Sequence, residues 1–152
     1  MDRPRPFRCE RCGFLYYFNP AIATAAFIQD GTGRTLFIRR AKDPGRGMLS
    51  IPGGFVDFGE TAEEGLRREL REEVNLEVAA LDFLCTHPNA YQYQEVTYQV
   101  LDLFFVTQAP EAGRAAALEE VSSFCWLDAG SVAPAEIAFP SVREALRRFV
   151  AR

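Results

Sequence analysis

At 152 residues and 17.1 kDa the chain has room for one domain, and folding at this size removes roughly 70% of the unfolded surface from water without help from disulfides or metal. A hydrophobic share of 48% and a charged share of 25% exclude a disordered or collagen-like chain. A net charge of −4 excludes a surface built throughout to grip nucleic-acid backbone and points to a small-molecule ligand, which, if anionic, needs a local basic patch or bound metal ions.

The first 20 residues read as an appendage. Pro4 and Pro6 stiffen the start, Cys9 and Cys12 form a C-x-x-C knuckle closed by Gly13, an aromatic run follows from Phe14 to Phe18, and Asn19-Pro20 ends the segment. No apolar stretch of signal-peptide form precedes it, and no apolar run approaches the ~20 residues needed to cross a bilayer. Four cysteines are too few for a disulfide scaffold in a chain of this length. These features predict a cytoplasmic protein with reduced thiols and no membrane partner.

From residue 21 the pattern changes. Residues 21–29 are apolar and partly β-branched, Asp30-Gly31-Thr32-Gly33 is a turn signal, and 35–39 read as a returning strand of a hairpin. Residues 42–47 form a loop, and a short apolar piece at 48–51 runs into Pro52-Gly53-Gly54. The clearest helix spans 62–74. Thr61 and Glu64 make a capping box, Leu66, Leu70 and Val74 repeat along one stripe, and Asn75 suits a left-handed C-cap. Strands are predicted at 76–85, 96–107 and 121–127, with loops at 86–95 and 110–117. Ser141 starts a last helix over 142–150. Strands mixed with two separated helices argue for an α/β layer fold around one sheet, with 1–20 as appendage and 21–152 as the main domain.

The chemistry concentrates between Gly54 and Leu76. On a helix advancing about 100° per residue, with Leu66 at zero, Glu73 falls at about −20°, inside the apolar stripe, Glu69 at about −60° and Glu72 at about −120°. An amphipathic helix does not normally bury a glutamate, and carboxylates at this spacing repel one another. A divalent cation between them removes both penalties, and oxygen-only ligands select Mg²⁺ first and Mn²⁺ second. The plainer alternative is a solvated helix whose glutamates pair with Arg67, Arg68 and Arg71. Pro52-Gly53-Gly54 just upstream favours the ligand reading, because backbone there can approach a ligand closely.

This stretch resembles the Nudix box, G-x5-E-x7-R-E-U-x-E-E-x-G-U, with U aliphatic. Gly54, Glu60, Arg68, Glu69, Leu70, Glu72, Glu73 and Leu76 match it, and Asn75 stands where the family has Gly. The resemblance implies an α/β/α sandwich around a mixed β-sheet over 21–152. It implies metal-dependent hydrolysis of a pyrophosphate in a nucleoside diphosphate linked to another moiety. Glu69, Glu72 and Glu73 then correspond to metal ligands, the Gly54 carbonyl to a further one, and Arg68 to an orienting arginine paired with Glu60. A homodimer is the arrangement common in the family.

Several weaker signals accompany it. Zinc needs four ligands; Cys9 and Cys12 resemble one half of a zinc ribbon, and Cys85 and His87 complete it only if the fold brings them close. Tyr91 and Tyr93, in a predicted loop, either stack on a nucleobase or pack against neighbours. Arg39, Arg40 and Lys42 either reach phosphate or form a solvated edge. Glu119 and Glu120 stand loosely where relatives carry a further metal-binding or base glutamate. The leading expectation is a hydrolase of ADP-ribose-like or dinucleotide substrates. The alternatives are a nucleoside triphosphate pyrophosphohydrolase, or a non-catalytic module that binds nucleotides through the same fold or nucleic acid through the knuckle. The acidic balance argues against nucleic acid.

Overall fold

The computed structural model describes residues 6–78 and 80–152; Pro4 and Ala79 lie outside them. Strands β1 (Phe7–Arg8) and β2 (Leu15–Tyr16) pair with each other, antiparallel, around the cysteine knuckle. All other strands form one mixed sheet. Its centre is β3 (Ala21–Gln29). The second half of the sequence supplies a long hairpin, β7 (Asp82–Tyr93) and β8 (Val96–Gln108). Strand β8 lies parallel to β3 along its whole length, from Ala21 opposite Val100 to Gln29 opposite Gln108. On the other edge of β3 lies β6 (Gly53–Phe55), antiparallel. Strand β4 (Thr35–Arg40) meets β3 only at Thr35 and then pairs with β9 (Val121–Leu127) and β5 (Leu49–Ser50).

Each face of the sheet is covered by a helix. Successive strand residues point to opposite faces, so one strand feeds two cores. Ala26, Ile28, Leu36, Ile38 and Phe105 pack with Leu66, Leu70 and Val74 of α1 (Ala62–Val74). The alternate residues Phe27, Phe37, Phe104 and Val106 pack with Val142, Ala145 and Leu146 of α2 (Pro140–Val150). Phe149 of α2 stacks on Phe27 with ring centroids 4.5 Å apart. This two-sided burial explains why β3, β4 and β8 read as nearly continuous apolar runs. The architecture is the expected α/β/α sandwich. Among the described residues no helix is long and apolar enough to cross a membrane.

Two expectations need correction. The 21–39 segment is a hairpin only at its turn, because Asp30 ties the turn through Thr32 and Arg34 while the strands diverge to other partners. The predicted loop at 86–95 is strand up to Tyr93, with a two-residue turn at Gln94 and Glu95. Its few apolar residues and Pro88 hid it. Strand β7 sits at the edge of the sheet, where proline is tolerated. The strand begins at Asp82 rather than at residue 76.

Helix α1 carries both predicted caps. Thr61 Oγ1 accepts from Glu64 N–H, and the Glu64 carboxylate accepts from Thr61 N–H at 2.8 Å. Asn75 sits at φ 55°, and its Nδ2 donates to the Arg114 carbonyl at 3.0 Å, tying the helix end to the loop before β9. Asn75→Gly is therefore expected to keep the helix end and lose only the side-chain bond, a change of about 1 kcal/mol. Asn75→Val adds a β-branched residue at positive φ and is expected to cost more; urea unfolding of both variants checks the order.

Candidate active site

The site begins with a close approach that only glycine permits. Gly53 has φ 145°, and a Cβ there would lie 2.0 Å from the Thr24 carbonyl oxygen. Without one, β6 lies against β3, and Gly53 N–H donates to Glu73 Oε2 at 2.9 Å. A Cβ on Gly54 would meet the Glu69 carboxylate at 2.5 Å. Helix α1 thus presents Glu69 and Glu73 directly to the Gly53-Gly54 backbone.

Arg68 organises the charges around this contact. Its guanidinium donates to both oxygens of Glu60, at 2.9 and 3.1 Å, a bidentate pair. Nη1 also donates to Glu69 at 2.8 Å and to Glu72 at 3.1 Å, and Nη2 to the Phe55 carbonyl at 3.0 Å. These acceptors hold the arginine firmly in its charged form. Glu60 is locked in turn by Asp57 N–H, and Arg68 keeps its carboxyl below the ordinary glutamate range. Glu73 stands outside this network. Only 9% exposed, it has its pKa pushed up to about 7 by burial, against the Gly53 hydrogen bond, with the neighbouring Glu69 charge adding to the rise. Burial also raises Glu69, opposed by Arg68.

These groups line one wall of a cleft of about 350 Å³. The opposite wall comes from β7, β8 and the start of α2. Tyr91 packs edge-on against Phe55, centroids 5.6 Å apart, and against Phe139 at 5.9 Å. The Arg40 guanidinium lies 4.8 Å from the Phe139 ring centre. Asp102, buried on β8, accepts a 2.5 Å hydrogen bond from Ser141 Oγ, with the Asn89 side chain nearby at the same cleft. Burial pushes its carboxyl above the ordinary aspartate value.

The NUDIX domain family profile matches residues 19–149. The chain belongs to the Nudix family. An ADP-ribose pyrophosphatase from Methanocaldococcus jannaschii is 42% identical over 63 residues, covering 41% of this chain and 37% of that protein. The NAD-capped RNA hydrolase NudC from Chromobacterium violaceum is 40% identical over 75 residues, covering 49% of this chain and 28% of that one. The chain thus spans about a third of the length of these curated relatives. A solved Nudix hydrolase structure from Nitrosomonas europaea superposes over 96% of this chain and 78% of its own, with TM-score 0.76 and 21% identity.

Within this Nudix fold, Gly54, Glu69, Glu72, Glu73 and Arg68 come together at the cleft, with Glu60 behind Arg68. Tyr91 and Glu120 also line it, and Glu120 pairs with Lys42 at 2.9 Å. Arg39 and Tyr93 are not among the lining residues. Arg39 Nη1 is engaged by the Gly47 carbonyl, and the irregularity in the β4–β9 pairing falls between Arg39 and Arg40. Of the two, Arg40 lines the cleft, alongside Arg68. Tyr93, at the exposed end of β7, lies past it. Cys9 and Cys12 share a knuckle in which Cys12 and Arg11 N–H groups lower the Cys9 thiol. Cys85 is buried beneath α2, and among the described residues no three His, Cys, Asp or Glu side chains gather as a ready metal cage. Asp102 and Asn89 also line the cleft, where local sequence pattern gives them no role. The available signal was parity, since Asp102 shares its face of β8 with Val100, Phe104 and Val106.

Glu73 predicts a pH dependence. Its folded pKa, about 7, lies above the ordinary 4.5, so the folded state holds the proton more tightly. Metal-free stability is therefore expected to fall as pH rises from 4.5 through 7 and to level off above, with this group accounting for about 3 kcal/mol. Glu73→Gln is expected to remove that component. Denaturant unfolding of both proteins in chelator at pH 5 and pH 8 measures it.

Proposed function

We propose that the protein is a divalent-metal-dependent pyrophosphohydrolase of nucleoside diphosphates linked to a second moiety, with ADP-ribose-like and dinucleotide substrates first. The observation that carries this is Glu73, a carboxylate buried in the cleft beside Glu69 and outside the reach of the Arg68 network. A buried charge of this kind is costly unless a cation joins it. The donors Glu69, Glu72, Glu73 and the Gly54 carbonyl are all oxygen, which fits Mg²⁺ or Mn²⁺. Such an ion, when bound, neutralises pyrophosphate oxygens and activates and aligns a water for attack on phosphorus.

The chain's own residues do the positioning. Arg68, held by Glu60 and the Phe55 carbonyl, fixes where Glu69 and Glu72 stand. Arg40 supplies positive charge for phosphate. Tyr91, Phe55 and Phe139 offer ring surface for a base. Glu120, half exposed at the rim, is proposed as a substrate-contacting carboxylate. The relatives' names support this substrate class, and the net charge of −4 supports a small dinucleotide over an RNA chain. We take 1–20 as an appendage to the catalytic domain, with zinc at Cys9 and Cys12 open to elemental analysis, and the four free cysteines as suited to the cytoplasm. Sedimentation tests the homodimer.

The deciding experiment is a substrate panel of ADP-ribose, NADH, NAD-capped RNA and nucleoside triphosphates, each with Mg²⁺ or chelator. Hydrolysis of ADP-ribose or NADH only with Mg²⁺ is expected; hydrolysis of none leaves a binding module, and preference for triphosphates gives the second enzyme reading. Glu73→Gln is expected to lower turnover at least ~10²-fold while folding normally, because an amide is a poorer ligand for a hard cation. Normal turnover with Mg²⁺ would remove Glu73 from the ligand set.

A separate prediction concerns the aromatic wall. Ring stacking persists from ground state to transition state, so its loss acts on KM more than on kcat. Tyr91→Ala is expected to raise KM roughly 5- to 150-fold, from ~1–3 kcal/mol of stacking. Tyr91→Phe keeps most of the affinity, and Tyr93→Ala, away from the cleft, leaves KM within about twofold. Steady-state kinetics of the three variants checks the pattern.

A further inference from the structure

The polar group at the far end of the cleft is not used by the hydrolytic chemistry. Asp102 stands in an otherwise apolar face of β8, between Val100 and Phe104, and is 8% exposed. Ser141 Oγ donates to its Oδ2, and the nearby Asn89 side chain helps hold its pKa down against burial. His87, directly across the β7–β8 pair, adds a favourable charge interaction. No cation forms an ion pair with it among the described residues. A hydroxyl or amide at position 102 could also accept from Ser141, more weakly than a carboxylate does, so the start of α2 does not by itself require a carboxylate here. Burying one is costly unless it is hydrogen-bonded or paired. A carboxylate offers about four lone-pair sites; Ser141 Oγ takes one at Oδ2, and Asp102 itself lines the cleft.

Register places this acceptor relative to the charged wall. Ala23 of β3 is opposite Asp102 on one side and Phe55 on the other. Asp102 thus lies two strand spacings, roughly 10 Å, from the strand that carries Gly54. The aromatic contact of Phe55, Tyr91 and Phe139 lies at this same cleft. On the nucleotide reading, a nucleoside 5′-phosphate held through a divalent cation at Glu69 and Glu73, with its base against Tyr91, would lie along the part of the cleft that Asp102 lines.

We propose that Asp102, oriented by Asn89 and Ser141, determines base specificity by accepting a hydrogen bond from an exocyclic amino group, so that the cleft selects amino-bearing purines over oxo-bearing ones. The inference rests on the nucleotide reading above. An amino group fills the open acceptor site, whereas a carbonyl oxygen there faces the carboxylate and leaves it unpaired. Sites built around a buried polar group reject the analogue that cannot satisfy it.

The test uses mononucleotides that differ only at that edge and are not pyrophosphates. Calorimetric titration of the intact chain with AMP, purine riboside 5′-monophosphate and IMP, in Mg²⁺ buffer, is expected to give affinities in that order, with AMP at least about tenfold tighter than IMP. Asp102→Asn, whose amide presents donor or acceptor, is expected to bring AMP and IMP within about threefold. Equal AMP and IMP affinity in the parent, tighter IMP, absence of binding by all three, or a preference unchanged in a folded Asp102→Asn protein overturns the assignment. The three-ligand order in the parent decides the matter even if the variant does not fold. Mg²⁺-dependent hydrolysis without base preference would sink this inference alone, whereas base preference without hydrolysis of any panel substrate would sink the hydrolase reading alone.

Discussion

The contact of two side-chain-free residues with a strand on one side and a helix on the other shapes this molecule more than any other. Gly53 can lie against the Thr24 carbonyl only because it lacks a Cβ. That approach lets β6 join β3 and turns the Gly53 N–H toward α1. Gly54 leaves room for the Glu69 carboxylate. A side chain at Gly53 would push β6 off β3, and one at Gly54 would displace the Glu69 carboxylate from the backbone it faces. The helix in turn is held by Leu66, Leu70 and Val74 against Ala26, Ile28 and Phe105. Hydrophobic packing sets the distance, and the glycines let that distance be short enough for polar chemistry.

Charge within the site is balanced unevenly. Arg68 answers Glu60, Glu69 and Glu72 together, and its fork geometry suits several acceptors at once. Glu73 is left with a backbone N–H and a buried setting. This asymmetry separates the paired outer carboxylates from a buried one that has no counter-charge in the Arg68 network. One arginine restrains the outer glutamates, and the inner one is left carrying an uncompensated electrostatic penalty.

The sheet gives the cleft two walls of different character because its strands change partners. Strand β3 supplies the floor, β6 and α1 the acidic wall, and β7, β8 and the start of α2 the aromatic and polar wall. The β7–β8 hairpin extends its half-buried residues His87, Asn89 and Tyr91 over one face. The acidic and the aromatic walls are thereby carried by separate elements of the sheet.

The acidic helix was legible from the sequence because its determinants are local. Thr61 and Glu64 cap it, Leu66, Leu70 and Val74 phase it, and that phase places Glu73 in the buried stripe. Asn75 ends it in the left-handed conformation that its short polar side chain tolerates. Local pattern could not assign Tyr91 to a strand, since the edge strand carrying it is polar and contains Pro88. Nor could it choose Arg40 over Arg39, which depends on an irregularity in pairing with a strand some 80 residues later. Asp102 and Asn89 meet through pairing of β7 with β8, and Ser141 reaches Asp102 from a helix 39 residues further on. Periodicity and capping act over a few residues and are written in the chain. The facing of two cleft walls depends on strand order and register, which are decided only when distant segments pack and share one core.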